Sequence, residues 1–533
     1  MKFVTKFLKN SPELFFFYLF ILSIPLGTKI TFLSRDSYFT KHFLYYTTFF
    51  VYLSDILLIT TLILWIVNIL YNKYIQQSRG KKLSTDNSQL KINSFFNSKS
   101  LLIIYSLLFS FIFWSFFSSF WAKNSQIGLY QSLKLIESIL LLIFVIHRIN
   151  TVKILFFTVV CLVSTGFTQA VIGIWQYFIQ HSIGFKWLGE SILNPDLAGV
   201  AKIVVNGEKI IRIYGTFPHP NVLAGFLFLS IICSFWLLFL IKTNYFRNFL
   251  FNEIKKKWLF LAIFVVIYVQ IFAFILTFSR IAWTGMVLLS VFSLLIFHKN
   301  VSRETFANFR FNKPKIALLF IILFFILYSL FFIYPQISGR IALDIKEQAF
   351  SDRLLFNNIA FSMIKENFFQ GVGIGNFTLN MADFSPVKLE FWQYQPVHNI
   401  YLLIFSELGI IGFILFVFII LNILKMAYLS QKSLSNFSFN KILNEPINNQ
   451  SKMFHVKHLA NNSLNKAKNG ELKQEKIDEI EACCNISLPF FLIFIGFLFI
   501  GLFDHYFWTI QSGQLVFWLV AGLILEAGLK SIQ

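Results

Sequence analysis

The chain has 533 residues, 56% of them hydrophobic and 13% charged, with a formal net charge of +21. That composition excludes a soluble globular class. Recurrent apolar runs of membrane-spanning length point to an all-α polytopic membrane protein, and no ten-residue alternating segments suggest a membrane β-barrel. The positive charge does not imply nucleic acid as a partner, because the basic residues crowd into particular loops, as the positive-inside rule expects.

The first apolar run, at about 14–33, follows Lys2, Lys6 and Lys9 and continues past Pro25, so it reads as an uncleaved span. A short loop with Arg35, Asp36 and Lys41 leads to a second span at about 43–71. A cation-rich stretch to Ser100 then reads as cytoplasmic. Spans at about 101–121, 128–146 and 154–180 follow. Segment 181–219 has turn chemistry, with short β-branched runs on either side of Asn206-Gly207, and reads as a small hairpin outside the membrane.

A sixth span covers about 220–241. One apolar stretch, about 258–297, is broken by Thr277-Phe-Ser-Arg280 into a seventh and an eighth. A basic loop precedes a ninth at about 316–334, and a second long outer segment, 335–399, precedes a tenth at about 400–424. Residues 425–487, rich in Lys, Asn and Ser, read as a flexible cytoplasmic insertion. Spans at about 488–503 and 514–530 close the chain. About 12 transmembrane helices with both termini cytoplasmic place most of the cations inside and the two long segments, between spans 5/6 and 9/10, outside. The organisation is thus a core, 1–424, the insertion, and a C-terminal helix pair, 488–533.

Arg280 interrupts nearly continuous hydrocarbon, where a guanidinium at the bilayer centre costs roughly 2.5–3.5 kcal/mol. It is either a turn residue snorkelling to headgroups or an anion clamp, since a planar cationic fork suits phosphate oxygens. Arg353 follows Ser351-Asp352, a helix start, and Leu355, Ile359 and Met363 then recur at helical spacing. Residues 352–368 therefore read as an amphipathic helix along the membrane surface.

Gly371-Val-Gly-Ile-Gly375 lacks the strand and helix of a nucleotide loop and reads as a tight turn re-entering the interface. His398, followed by Asn399 and then a span, sits where water meets lipid. An imidazole there suits removal of a proton from a sugar hydroxyl, although a lone interfacial histidine is more often structural. Glu407 is an intramembrane acid able to hold a polar neighbour, and Gly409 and Gly412 allow close helix approach. His455 and His458, spaced like a metal pair, lie in the insertion and read as solvated surface. The four cysteines show neither metal spacing nor a disulfide framework.

The segments RIYGTFPHPNVLAG (212–225), TFSRIAWTG (277–285), DRLLFNNIAFSMIKENFFQGVGIGNF (352–377), HNIYLLIFSELGIIG (398–412) and DHYFWTIQSGQ (504–514), in that order, resemble the O-antigen ligase family, which also includes O-antigen polymerases and protein-glycan ligases. The resemblance implies a GT-C-type glycosyltransferase of the cytoplasmic (inner) membrane, with its active site on the outer face. Such an enzyme moves a glycan from undecaprenyl pyrophosphate to an acceptor hydroxyl, as in lipopolysaccharide assembly. It implies no metal and no cofactor. The acceptor is a glycan, lipid or protein, and membrane lipids surround the site. Carried over by position, Arg280 and Arg353 contact the donor pyrophosphate, Arg212 lies in a recurrent motif with a donor role, and His398 is the base. The 425–487 insertion is long for this family, and the first 150 residues match only in hydropathy.

Two other readings compete. A polymerase of lipid-linked repeat units shares these motifs. A lipid-linked sugar transporter would use the intramembrane ionisable residues Asp55, Lys134 and Glu137, but the polar features gather on one face and no internal repeat is evident.

Overall fold

The computed structural model describes residues 11–34, 36–39, 42–78, 99–242, 256–300, 334, 336–337, 348–436 and 487–532. Within them, hydrophobic runs between polar breaks become helices: α1 (Pro12–Ser23), α2 (Leu53–Ser78), α3 (Lys99–Phe117), α4 (Ser125–Arg148), α5 (Val152–Ile179), α6 (Pro220–Lys242), α7 (Lys256–Leu276) and α8 (Arg280–Asn300). Further along come α9 (Gln348–Glu366), α10 (Phe377–Phe384), α11 (Ile400–Asn436), α12 (Ser487–Gly501), the single turn α13 (Tyr506–Thr509) and α14 (Gln511–Ile532). Eight helices among the described residues are long and apolar enough to cross a membrane, and Pro12–Ser23, Arg280–Ser293 and Leu488–Gly501 are shorter apolar helices. The chain is a mostly helical, polytopic membrane protein. The expected span at 316–334 and most of the 425–487 segment lie outside the described residues, although α11 carries helix on from 425 to Asn436.

Helix α14 is the axis. Its apolar window is wholly buried, and it packs against α4, α11 and α12, while α5, α6 and α7 form a second group and α1 pairs with α2. At one end of the bundle the connecting segments fold over one another. The expected hairpin is present as β5 (Lys202–Val205) and β6 (Glu208–Ile211), paired antiparallel around Asn206-Gly207, with Asn206 at φ 51 and Gly207 at φ 86 as such a turn requires. Glu190 organises the approach to it, accepting from the amides of Ile183, Gly184 and Phe185 and from Gln176.

The N-terminal region departs from the hydropathy reading. Helix α1 stops at Ser23 rather than running to residue 33, because Pro25 and Gly27 interrupt it. The next apolar residues form β1 (Lys29–Phe32), paired antiparallel with β4 (Phe49–Tyr52). Between them β2 (Tyr38–Phe39) pairs with β3 (His42–Phe43). The second helix therefore starts at Leu53, ten residues later than expected. Alternating apolar side chains in a pleated ribbon raise a hydropathy average as much as a helix does. This ribbon is tied to the 181–219 segment, where Gly27 donates to the Leu188 carbonyl and Thr28 to that of Trp187.

Helix α11 is broken inside. Gly409 has φ 64 and ψ −170, so the regular hydrogen-bond ladder fails there. Another segment satisfies the freed carbonyls: Val372 donates to Ser406, Gly373 to Glu407, and the Trp114 indole to Leu408. In return Ile410 donates to the Phe368 carbonyl. Side chains cannot fit at this join, since a Cβ on Gly371 would stand 2.4 Å from the Glu407 carbonyl and one on Gly409 2.3 Å from that of Phe369. Gly409 thus admits a loop rather than a neighbouring helix.

Candidate active site

His398 stands at the entry to α11. Asn399 caps that helix, its side-chain oxygen accepting from the amides of Tyr401 and Leu402, which supplies partners for otherwise orphaned donors. Its amide nitrogen donates to the Leu502 carbonyl at 3.0 Å. The cap therefore pins the start of α11 to the turn between α12 and α13, and that turn carries Asp504 and His505.

The His398 Nδ1 lies 3.6 Å from Asp504 Oδ1, and the His398 and His505 ring centroids are 5.0 Å apart. Phe356, one turn beyond Arg353 on α9, lies against the other side of the imidazole with centroids 6.3 Å apart. About a fifth of the His398 side chain, 21%, is open, while Nδ1 is enclosed. The accessible edge is therefore the one away from Asp504.

Asp504 is fixed from behind. Its Oδ2 accepts from Asn221 at 2.7 Å, and Oδ1 accepts from the amide of His505. Asn221 in turn accepts from Arg212 at 2.6 Å, while Arg212 Nε donates to the Thr277 carbonyl at 2.7 Å. Arg212 is buried. The Thr277–Ser279 turn, with Phe278 at φ 48, leads directly into Arg280, the half-buried first residue of α8.

The electrostatics follow from this crowding. Burial drives the His219 imidazole down to about 3, helped by the Arg212 cation and, further off, His398 and Arg353. Burial likewise brings His505 to about 3, with His398, His219 and Arg353 adding to the effect. Burial pushes Asp504 upward, but the neighbouring imidazoles of His398, His505 and His219 outweigh it and hold the carboxyl below its ordinary range. At neutral pH the group therefore holds one carboxylate and two neutral imidazoles around His398.

Of the residues singled out in the sequence, Arg212 is hydrogen-bonded to Asp504 through Asn221, and His398 stands 3.6 Å from that carboxylate without a hydrogen bond to it. Asn399 ties the start of α11 to the nearby Leu502 carbonyl, while the Arg353 charge acts on His219 and His505. Arg280 follows the Thr277–Ser279 turn whose Thr277 carbonyl accepts from Arg212. Glu407 is elsewhere: its carboxylate accepts from the Trp508 indole at 2.9 Å and from the amides of Gly375 and Phe377, so it anchors the glycine-rich loop. Asp504, His505 and Asn221 received no role from sequence reasoning. The available signal was an Asp-His pair between two apolar runs, the same pattern as His398-Asn399. Sequence spacing gave no hint of a metal centre at these positions, yet His398, Asp504 and His505 each offer a donor atom within 4.8 Å of the others.

The helical bundle thus gathers one buried carboxylate, several imidazoles and the buried Arg212 guanidinium at one place. Residues 265–417 match the family model described as O-antigen ligase, which bears out the family resemblance. The matched stretch contains Arg280, Arg353, His398, Asn399 and Glu407, whereas Arg212, Asp504 and His505 lie outside it. No curated protein matches the chain significantly. The family's chemistry is glycosyl transfer of the ligase or polymerase type, between a lipid-linked glycan and a glycan acceptor at a membrane.

Proposed function

We propose that this chain transfers a glycan from an undecaprenyl-pyrophosphate-linked donor to an acceptor hydroxyl at the outer face of the cytoplasmic membrane. The observation that carries this reading is the His398–Asp504 pair, with Nδ1 enclosed beside the carboxylate and the rest of the ring partly open. Pyrophosphate is already a good leaving group, so catalysis needs two things: neutralisation of the charge that develops on it and removal of the acceptor proton. Arg280 and Arg353 bind the diphosphate. His398 takes the hydroxyl proton on its open edge, the acceptor oxygen attacks the anomeric carbon with inversion, and the carrier diphosphate departs.

Asp504 is a positioning residue: its charge offsets that of the imidazolium formed as His398 gains the proton. Arg212 supports it through Asn221 rather than touching the diphosphate, a role favoured by its burial and its two hydrogen bonds. Asn399 fixes the imidazole's place, and Glu407 holds the loop behind it. The same residues would serve a polymerase joining repeat units on the carrier.

The test is a transfer assay with purified protein and lipid-linked glycan, with and without a second acceptor. Arg353→Ala and Arg280→Ala are expected to abolish transfer while eluting and melting like the wild type. Normal transfer by either variant refutes its assigned role. Chain growth on the carrier alone assigns the polymerase reaction.

A further inference from the structure

We propose that His398, Asp504 and His505 form a reversible site for one transition-metal ion of the zinc class, and that its occupation switches transfer off. The separation of His398 Nδ1 and Asp504 Oδ1, 3.6 Å, is too long for a hydrogen bond. Nδ1 is buried without a hydrogen-bond partner among the described residues. Two ligands each about 2.1 Å from one tetrahedral zinc ion stand roughly 3.4 Å apart. The gap that defeats a hydrogen bond is therefore close to the spacing an ion requires.

The third donor is prepared independently. His505 Nδ1 is engaged by Thr509 Oγ1 at 2.6 Å, which leaves Nε2 as the ring's available donor. Ligating histidines characteristically have their second nitrogen held in this way. Asp504 is steadied by Asn221 and by the His505 amide. Two imidazoles and one carboxylate suit zinc, copper or nickel and disfavour magnesium and calcium, which prefer all-oxygen sets. The nearby Arg353 charge opposes any cation, so the site is weaker than a closed structural zinc centre and exchanges with the medium.

The inhibitory consequence is a matter of tautomers. A neutral imidazole coordinated through Nδ1 carries its remaining proton on Nε2. The open edge of His398 then donates a hydrogen bond and has no lone pair with which to accept the hydroxyl proton. The metal also takes up the Asp504 charge that would stabilise an imidazolium. This switching rests on the base role proposed above; the binding does not.

The experiment is a Co²⁺ titration of chelator-stripped, full-length protein in detergent, followed by its visible d–d absorption, with Zn²⁺ as competitor. One equivalent of Co²⁺ is expected to bind and to be displaced by one equivalent of Zn²⁺. Affinity is expected to fall at least tenfold in His505→Gln and in His398→Gln, each checked for unaltered elution and melting, and to be unchanged in His181→Ala, an exposed histidine elsewhere. Absence of the spectrum, or binding that survives both glutamine variants, overturns the site. In the transfer assay Zn²⁺ is expected to inhibit and a chelator to restore activity. Stoichiometric binding with transfer unaffected would keep the site and overturn both the switch and the base role of His398.

Discussion

The buried lysine of α4 and the partly open histidine at the head of α11 each sit beside a carboxylate, yet the two clusters are put together differently. Lys134 pairs with Asp55 from α2 and lies 3.6 Å from Glu137 on its own helix. Asp55 is further held by Gln511 of α14 and by the Tyr52 amide. The Tyr52 and Tyr130 rings lie within 6 Å of the ammonium. These side chains are 5–11% exposed, against 21% for His398. At the other cluster the basic groups outnumber the single carboxylate, and the ring edge of His398 faces outward. A group of charges whose partners are all internal fastens helices together. One with more basic groups than acids and an open ring edge can engage something from outside.

The sharpest way to test that contrast is to remove the central base from each cluster. His398→Ala is expected to lower the transfer rate by about 10²–10⁴-fold, the usual contribution of a general base, with little change in the melting of the purified protein. Lys134→Met should do the opposite. It leaves Asp55 and Glu137 buried without their cation, a loss typically costing about 3–5 kcal/mol, while the rate per folded molecule stays near that of the wild type. If Lys134→Met instead abolished transfer without altering the melt, the division between fastening and catalysis would be wrong, and the transporter-like reading of these intramembrane residues would regain ground.

A milder prediction concerns pH. His219 and His505 have folded-state values near 3, well below the ordinary 6.5, so between those limits the unfolded chain binds protons that the folded one refuses. Their contribution is complete above about pH 6.5 and is lost as pH falls toward 3, at up to about 1.4 kcal/mol per pH unit for each. Melting in detergent should therefore drop steadily from pH 7 to pH 4.5, and His219→Gln should roughly halve the slope. A flat profile would mean that these imidazoles are not shielded from water.

Much of this architecture was legible in the residues themselves. Helices α3 to α8 begin and end within a few residues of the hydrophobic runs, because charged or turn-forming residues bound each run. The Asn206-Gly207 hairpin was readable for the same local reason. What escaped was decided at a distance. Lys29–Phe32 and Phe49–Tyr52 fall within the apolar runs of two expected spans but pair as a ribbon. The break at Gly409 is supported by residues 368–373 and by Trp114, which supply the missing partners. In the site, His398 and Asn399 could be found from their place before a span. The importance of Asp504 depends on residues 221 and 398, far from it in sequence, and no local pattern encodes that meeting.

The join in α11 also separates two lengths of rod mechanically. Its first piece, nine residues from Ile400 to Leu408, is capped by Asn399 and clasped by a foreign loop; its second piece runs on to Asn436. A tug applied beyond Asn436 is absorbed where Ile410 hangs from Phe368, instead of travelling up a continuous ladder. His398 is thereby insulated from whatever pulls on the far end of its own helix.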